Sequence, residues 1–345
     1  MPSYASSCGV RRNSLPYRLE TRLAEDSSDE SPASPTSSDS SDDEEDLNRR
    51  IQPYWPKYQH AFRSRGFRLE TVRDVKNYYR QKGASSLDML GSQQQLSSRV
   101  DFRDDDALCP DAGFPDNLFR GIRLCDSRRV VVKAVHRRSH EMMIIRALSQ
   151  PPLRDEPTNH TIPVLDLFEV VDDDIAFIVM EEWSSQLISS TGPCCLNRFL
   201  AALRQCIEHA AFLHKHGIAH LDISLSNLLT DYEGHYAYID YELSRCFNSP
   251  GTAVRNYRGT EVPPECEKEG EANPFKIDVW ALAVLMLRAC KLTGYWVPEL
   301  MQVIEPMLDQ DPCRRPSSKE VLISFDRVIS SLGYHIGPVC TKLQS

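Results

Sequence analysis

His220-Leu-Asp-Ile-Ser-Leu-Ser-Asn-Leu-Leu229, followed after a short gap by Tyr236-Ala-Tyr-Ile-Asp240, is the stretch on which the reading of this chain turns. An acid, Asp222, and an amide, Asn227, stand five positions apart in a loop, and a second acid, Asp240, closes an apolar run eighteen residues after the first. A lone Asp or Asn is usually a turn or cap residue. The ordered set suits phosphoryl transfer, which needs one carboxylate to orient an attacking hydroxyl, and an amide plus another carboxylate to hold magnesium on phosphates. Before the loop, Phe199, Leu200, Leu203, Ile207, Ala210, Ala211 and Leu213 recur at helical spacing, and Gly217 ends the pattern.

Further upstream the periodicity changes. Arg128 to Val135 holds a β-branched run, and Ile162 to Val170 and Ile175 to Met180 read as further strands. A helix from about His140 to Leu148 interrupts them. A small sheet followed by a helix-rich half predicts an α+β arrangement, which the resemblance described below implies is bilobal. Residues 105–335 form its expected extent, with a β-rich lobe over about 105–182 and a helical lobe over about 183–335. Residues 1–50 hold an acidic, Ser-rich tail expected to be disordered, because 26–46 carry almost no apolar side chain to offset the entropy of ordering. Residues 51–104 read as a helical leader and linker. Its aromatic run includes Tyr54, Trp55, Tyr58, Phe62 and Phe67, and Gly83 is the expected helix stop. Residues 336–345 are left as a C-terminal tail.

The central motifs resemble the protein-kinase catalytic loop HRDxxxxN and the metal-binding DFG. The resemblance continues in the family's order. Val130-Val-Val-Lys133 is similar to the VAIK strand, which would put Lys133 on the α and β phosphates of ATP, and Glu141 resembles the helix glutamate that pairs with it. Phe177-Ile-Val-Met-Glu-Glu-Trp183 is similar to the last small-lobe strand and the hinge. Met180 would then be the gatekeeper, with the backbone from Glu181 to Trp183 bonding adenine. Gly259-Thr-Glu-Val-Pro-Pro-Glu265 resembles the end of an activation segment, Asp278-Val-Trp-Ala-Leu-Ala resembles DVWSLG, and Asp311-Pro-Cys-Arg-Arg315-Pro resembles DPxxRP. The resemblance implies a buried pair between Glu265 and Arg315, a supporting role for His220 and Asp278, magnesium on Asn227 and Asp240, and catalysis by Asp222 with Lys133. The Asp222-Ile-Ser loop and the Pro53-Tyr-Trp-Pro leader look like the fungal-type kinase-like proteins.

Departures from the pattern leave other functions open. Phe114 to Arg129 supplies only Gly121 where a GxGxxG loop would cover phosphate. Leu221 stands for the arginine of HRD, Ser224 for the catalytic-loop lysine with no arginine at Ser226 to substitute, and Asp240-Tyr-Glu for DFG. A Ser/Thr protein kinase acting on a protein substrate is the first reading. A nucleotide-binding pseudokinase scaffold is the second. A small-molecule kinase similar to the choline and aminoglycoside phosphotransferases, which carry HxDxxxxN with D(W/F)E, is the third.

The net charge of −9 and the lack of a basic, aromatic-interleaved patch argue against nucleic-acid binding. The longest apolar stretch, Val279 to Leu287, is too short for the roughly 20 residues that a bilayer requires. Eleven irregularly spaced cysteines without a secretory leader read as reduced thiols and an intracellular protein, in cytoplasm or nucleus. Oligomeric state, substrate and pathway leave no mark in the sequence.

Overall fold

The computed structural model describes residues 48, 51–85, 104–187, 193, 195–247, 253–267 and 270–334. The expected tail, apart from Asn48, the polar stretch 86–103 and the C-terminal residues 336–345 lie outside them. Helix α1 (Trp55–Ser64) leads into strand β1 (Phe67–Leu69) and helix α2 (Val72–Ser85). Strands β2 (Leu118–Arg123) and β3 (Arg129–His136), helix α3 (His140–Leu148), and strands β4 (Val164–Val170) and β5 (Ile175–Glu181) follow. They form one antiparallel sheet in the order β1-β2-β3-β5-β4.

Two details differ from the sequence expectation. Helix α2 continues two residues past Gly83. The leader, read as helices alone, also supplies β1, whose alternating burial of Phe67 and Leu69 spans only three residues. So short a run shows no period of two against the helical patterns on either side.

β1 is fixed by what packs over it. Trp55, Tyr58 and Phe62, one face of α1, cover the outer side of the sheet with Phe119, Phe168 and Phe177. The Phe62 ring stands edge-on to Phe168 and Phe177 at 5.1 and 5.0 Å, a geometry that matches the positive edge of one ring to the negative face of another. Tyr58 donates to Asp173 at 2.7 Å; burial is the main cause of its pKa rising to about 12, with Asp173 adding to it. The Trp55 indole donates to the Asp116 carbonyl at 3.0 Å. The leader is thus one layer of the small lobe.

The larger lobe is built on helices α4 (Leu196–Lys215), α5 (Pro274–Thr293), α6 (Met301–Met307) and α7 (Ser318–Ser331), with short strands β6 (Ile218–Ala219), β7 (Leu228–Thr230), β8 (Tyr236–Tyr238) and β9 (Arg245–Cys246) on the side facing the sheet. Helix α5 is apolar on most sides and correspondingly buried. Asn273 caps its first turn, and Gly294, at φ 72°, ends it. Helix α7 starts in a capping box between Ser317 and Glu320. No helix among the described residues is long and apolar enough to cross a membrane.

If α1 is a structural layer of the lobe, Phe62→Ala should lower unfolding free energy by about 3–5 kcal/mol, as truncation of a fully buried phenylalanine does. Urea unfolding followed by tryptophan fluorescence measures it. A loss indistinguishable from that of a surface substitution would place α1 outside the cooperative unit.

Candidate active site

Strand β3 alternates its side chains. Val130, Val132 and Ala134 enter the aromatic layer under α1, so Val131 and Lys133 face the opposite side, between the lobes. Helix α3 starts soon after the strand because Ser139 caps it, accepting from the Met142 N–H at 3.2 Å. Eight residues therefore suffice for Lys133 to meet Glu141 in the helix's first turn, at 2.7 Å. The same ammonium lies 3.0 Å from Asp240. Burial pushes the Lys133 pKa down, but Glu141 and Asp240 more than offset this and raise it above the usual value. Burial likewise pushes Asp240 up, and Lys133 overcomes it, so the carboxylate titrates below its usual range.

The catalytic-loop residues meet through short contacts. Asn227 donates from Nδ2 to both the carbonyl and the carboxylate of Asp222, at 3.0 and 2.7 Å. Both bonds use the amide nitrogen, so the Asn227 side-chain oxygen takes no part in them. The other Asp222 oxygen accepts from the Thr260 N–H at 2.8 Å. That contact depends on Gly259, where a Cβ would lie 2.4 Å from the Leu221 carbonyl. Leu221 itself has φ 63°, a costly conformation for a leucine. Buried Asp278 holds it there, accepting from the backbone N–H of His220 at 2.7 Å and of Leu221 at 2.8 Å. His220 is fully buried, and its Nδ1 accepts from the Asp222 N–H at 3.3 Å. Ser224 and Ser226 are closed on each other, hydroxyl to hydroxyl at 2.7 Å.

The residue after Asp240 explains a departure noted in the sequence. Tyr241 is fully buried, and its hydroxyl meets Thr161 Oγ1 at 3.0 Å and His209 Nε2 at 2.9 Å. His209 Nδ1 accepts from the His160 N–H at 3.0 Å, so its Nε2 carries the proton and donates to Tyr241. A phenylalanine would leave that donor without a partner. Glu242 brings a carboxylate oxygen within 4.8 Å of those of Glu141 and Asp240. Oxygen donors of this kind, together with Asn227, fit a hard divalent cation such as magnesium. Leu221 packs in an apolar cluster with Leu243, Phe247, Val254 and Tyr257, so the segment after Asp240 rests on hydrophobic contact at the place where the resemblance has an arginine.

A cavity of about 270 Å³ between the lobes is lined by Lys133, Glu141, Met180, Glu181, Trp183 and Asp240, which sequence reasoning had named, with Ile162, Ile178 and Ile239 as apolar walls. Along the hinge, the N–H of Glu181 donates to Pro163, that of Glu182 to Arg129, and that of Ser184 to Thr230. Among these described hinge residues, the Trp183 N–H has no backbone partner. Gly121 is not a loop residue. It lies within β2, where a Cβ would come within 2.8 Å of the Arg68 carbonyl in β1. Phe114 and Arg120 reach the cavity unannounced by any spacing in the sequence. Arg315 and Glu265 sit away from the cavity, paired bidentately at 2.7 and 2.6 Å with the guanidinium fully buried. Removing one side of such a pair costs about 3–5 kcal/mol.

A family model described as the protein kinase domain matches residues 119–297, more than half of the chain. The serine/threonine-protein kinase cds1 of Schizosaccharomyces pombe is 25% identical over 181 residues, 48% of this chain and 37% of that protein. The serine/threonine-protein kinase sck1 of the same yeast is 31% identical over 108 residues, 30% of this chain and 15% of its own length. Protein kinase C zeta type of Oryctolagus cuniculus is 40% identical over 91 residues, covering 26% and 15%. The chain therefore spans well under half the length of these relatives.

Burial is the main cause that holds the His209 pKa well below 6.5, with His160 adding to it, so the folded protein keeps this imidazole neutral. As pH falls, the unfolded chain takes up the proton first, and stability present above about 6.5 declines below it. Urea unfolding at about pH 7.5 and 5.5 should show this decline, and a His209→Gln variant should show a shallower one. Equal slopes in the two proteins would remove His209 from the account.

Proposed function

Because the chain belongs to the protein kinase domain family, we propose that it transfers the γ-phosphoryl group of ATP to a serine or threonine hydroxyl of a protein. The observation that supports this best is the Asp222 carboxylate, oriented by Asn227 on one oxygen and by the Thr260 N–H on the other. The Lys133, Glu141 and Asp240 cluster is the second support for this reading. Adenine would lie against the hinge at the Trp183 N–H, with Lys133 on the α and β phosphates. Magnesium, held by Asp240 and Asn227, would neutralise phosphate charge. Asp222 orients the acceptor hydroxyl and takes its proton as the new O–P bond forms and the bond to the ADP oxygen breaks.

One observation favours slow chemistry. The position that in the resembled kinases carries a lysine is Ser224, buried and closed on Ser226. No cation stands there to meet the moving phosphoryl group. A loss of one such charge-stabilising contact slows turnover by roughly 10²–10³-fold. The nucleotide-binding scaffold is therefore the second reading.

The deciding measurement is magnesium-dependent ATP turnover by the purified chain, offered Ser/Thr peptides in one arm and small alcohols in another. Asp222→Asn should lower turnover by roughly 10²–10⁴-fold while leaving ATP affinity in place. Turnover with alcohols alone would support a small-molecule kinase. Nucleotide binding without turnover in any arm would support the scaffold.

The activation segment yields a further expectation. Leu221 offers no charge to a phosphate, and the Ser244 hydroxyl is buried, donating to the His220 carbonyl at 2.9 Å. Phosphatase treatment should change turnover by less than about twofold, whereas a segment ordered by phosphorylation would lose far more.

A further inference from the structure

The strand β1 and the strand β2 are neighbours in the sheet, yet residues 70–117 separate them, where the resembled kinases have a glycine hairpin over the nucleotide. The outgoing and returning ends of this excursion are fastened together. Val72 N–H donates to the Ala107 carbonyl at 3.0 Å, Arg73 N–H to Asp105 at 2.9 Å, and Cys109 N–H to Glu70 at 3.1 Å. Past that neck, Asp111 turns the chain by accepting from the Gly113 N–H at 2.8 Å, and Phe114 arrives at the interlobe cavity. These residues precede Phe119, where the kinase-domain match begins.

Register locates what comes next. On β2, Leu118 pairs with Lys133 and Arg120 with Val131, two residues nearer the hinge. Leu118 and Arg120 share a face of the strand, and both line the cavity. Arg120 thus lies at the base end and not at the phosphate end. Its charge is already engaged, with Nε donating to hinge residue Glu182 at 2.7 Å and Nη1 paired with Asp111. The guanidinium lies 4.4 Å from the centre of the Phe114 ring. Glu182 also meets Arg129 at 2.8 Å, and Arg129 meets buried Glu70 at 3.0 Å. An ion-pair chain therefore ties both ends of the excursion to the hinge.

We propose that Phe114 and Arg120 form a side-chain roof over the nucleotide base, held down by Asp111 and by Glu182 of the hinge. This rests on the nucleotide reading above and adds its specificity-determining contact. A planar ring and a planar guanidinium whose Nε and Nη1 are committed to carboxylates serve a base by stacking. Phosphate is left to Lys133. The purine is gripped between the hinge strand and a surface that the excursion supplies.

The test measures adenosine and ATP binding to the full chain by calorimetry, with circular dichroism on each variant to show that it is folded. Phe114→Ala and Phe114→Leu should weaken adenosine and ATP by the same factor, on the order of tenfold, the size of a lost base stack. Phe114→Tyr should bind as wild type, and Lys133→Met should weaken ATP but not adenosine. Arg120→Gln should follow Phe114→Ala. Wild-type affinities in Phe114→Ala and Phe114→Leu overturn the roof. A loss in Arg120→Gln confined to ATP overturns it as well, because Arg120 would then serve phosphate. Wild-type chain that binds neither ligand overturns the nucleotide reading and the roof with it.

Discussion

One ammonium group, that of Lys133, sits between two carboxylates that arrive from different lobes, Glu141 on α3 and Asp240 after β8. A buried charge is tolerable only when paired, and here each of the three groups relies on the others. The rest of the cleft can be derived from that need. Strand β3 must alternate so that Lys133 faces inward while Val132 and Ala134 join the aromatic layer. Helix α3 must start at once, and the Ser139 cap makes that feasible. Asp240 must turn at φ 64° to present its carboxylate, and the pinned ring of Tyr241 behind it keeps that turn from relaxing.

Substitutions that look like losses in the sequence are compatible with their neighbours in space. Leu221 joins an apolar cluster that includes Val254 and Tyr257. Tyr241 satisfies a buried histidine that a phenylalanine would strand. Together they add packing and a neutral hydrogen bond to a cleft whose other ties are ionic.

What could be read from the sequence follows from distance along the chain. Asp222 and Asn227 touch within one loop, and Lys133 and Glu141 are eight residues apart, so short motifs that resemble those of the kinases could carry those contacts. Arg120 and Glu182 are 62 residues apart, and no spacing marks a contact of that range. The same holds for Tyr241 and His209. The α+β class was legible from the switch between strand-like and helical periodicity, and its two lobes from the motif resemblance, but β1 was hidden because three residues are too few to show alternation. Gly121 misled for a different reason. A glycine that lets two strands approach closely and a glycine that bends around phosphate look identical in sequence, and only the Arg68 carbonyl beside it separates the two.

That α1 precedes the strands it covers by so many residues has a consequence for synthesis. Its anchoring partners lie far downstream, Asp173 being 115 residues beyond Tyr58. At the roughly 5–20 residues per second of translation, the leader's aromatic face waits several seconds before Phe168 and Phe177 leave the ribosome. Closing so long a loop also carries an entropic cost that local hairpins avoid, so the small lobe is assembled late and from its two ends. During that interval Trp55, Tyr58 and Phe62 are an exposed apolar stripe, the kind of surface that holdase chaperones cover. The acidic segment just ahead of them in sequence, at residues 26–46, adds a dense run of charge beside that stripe.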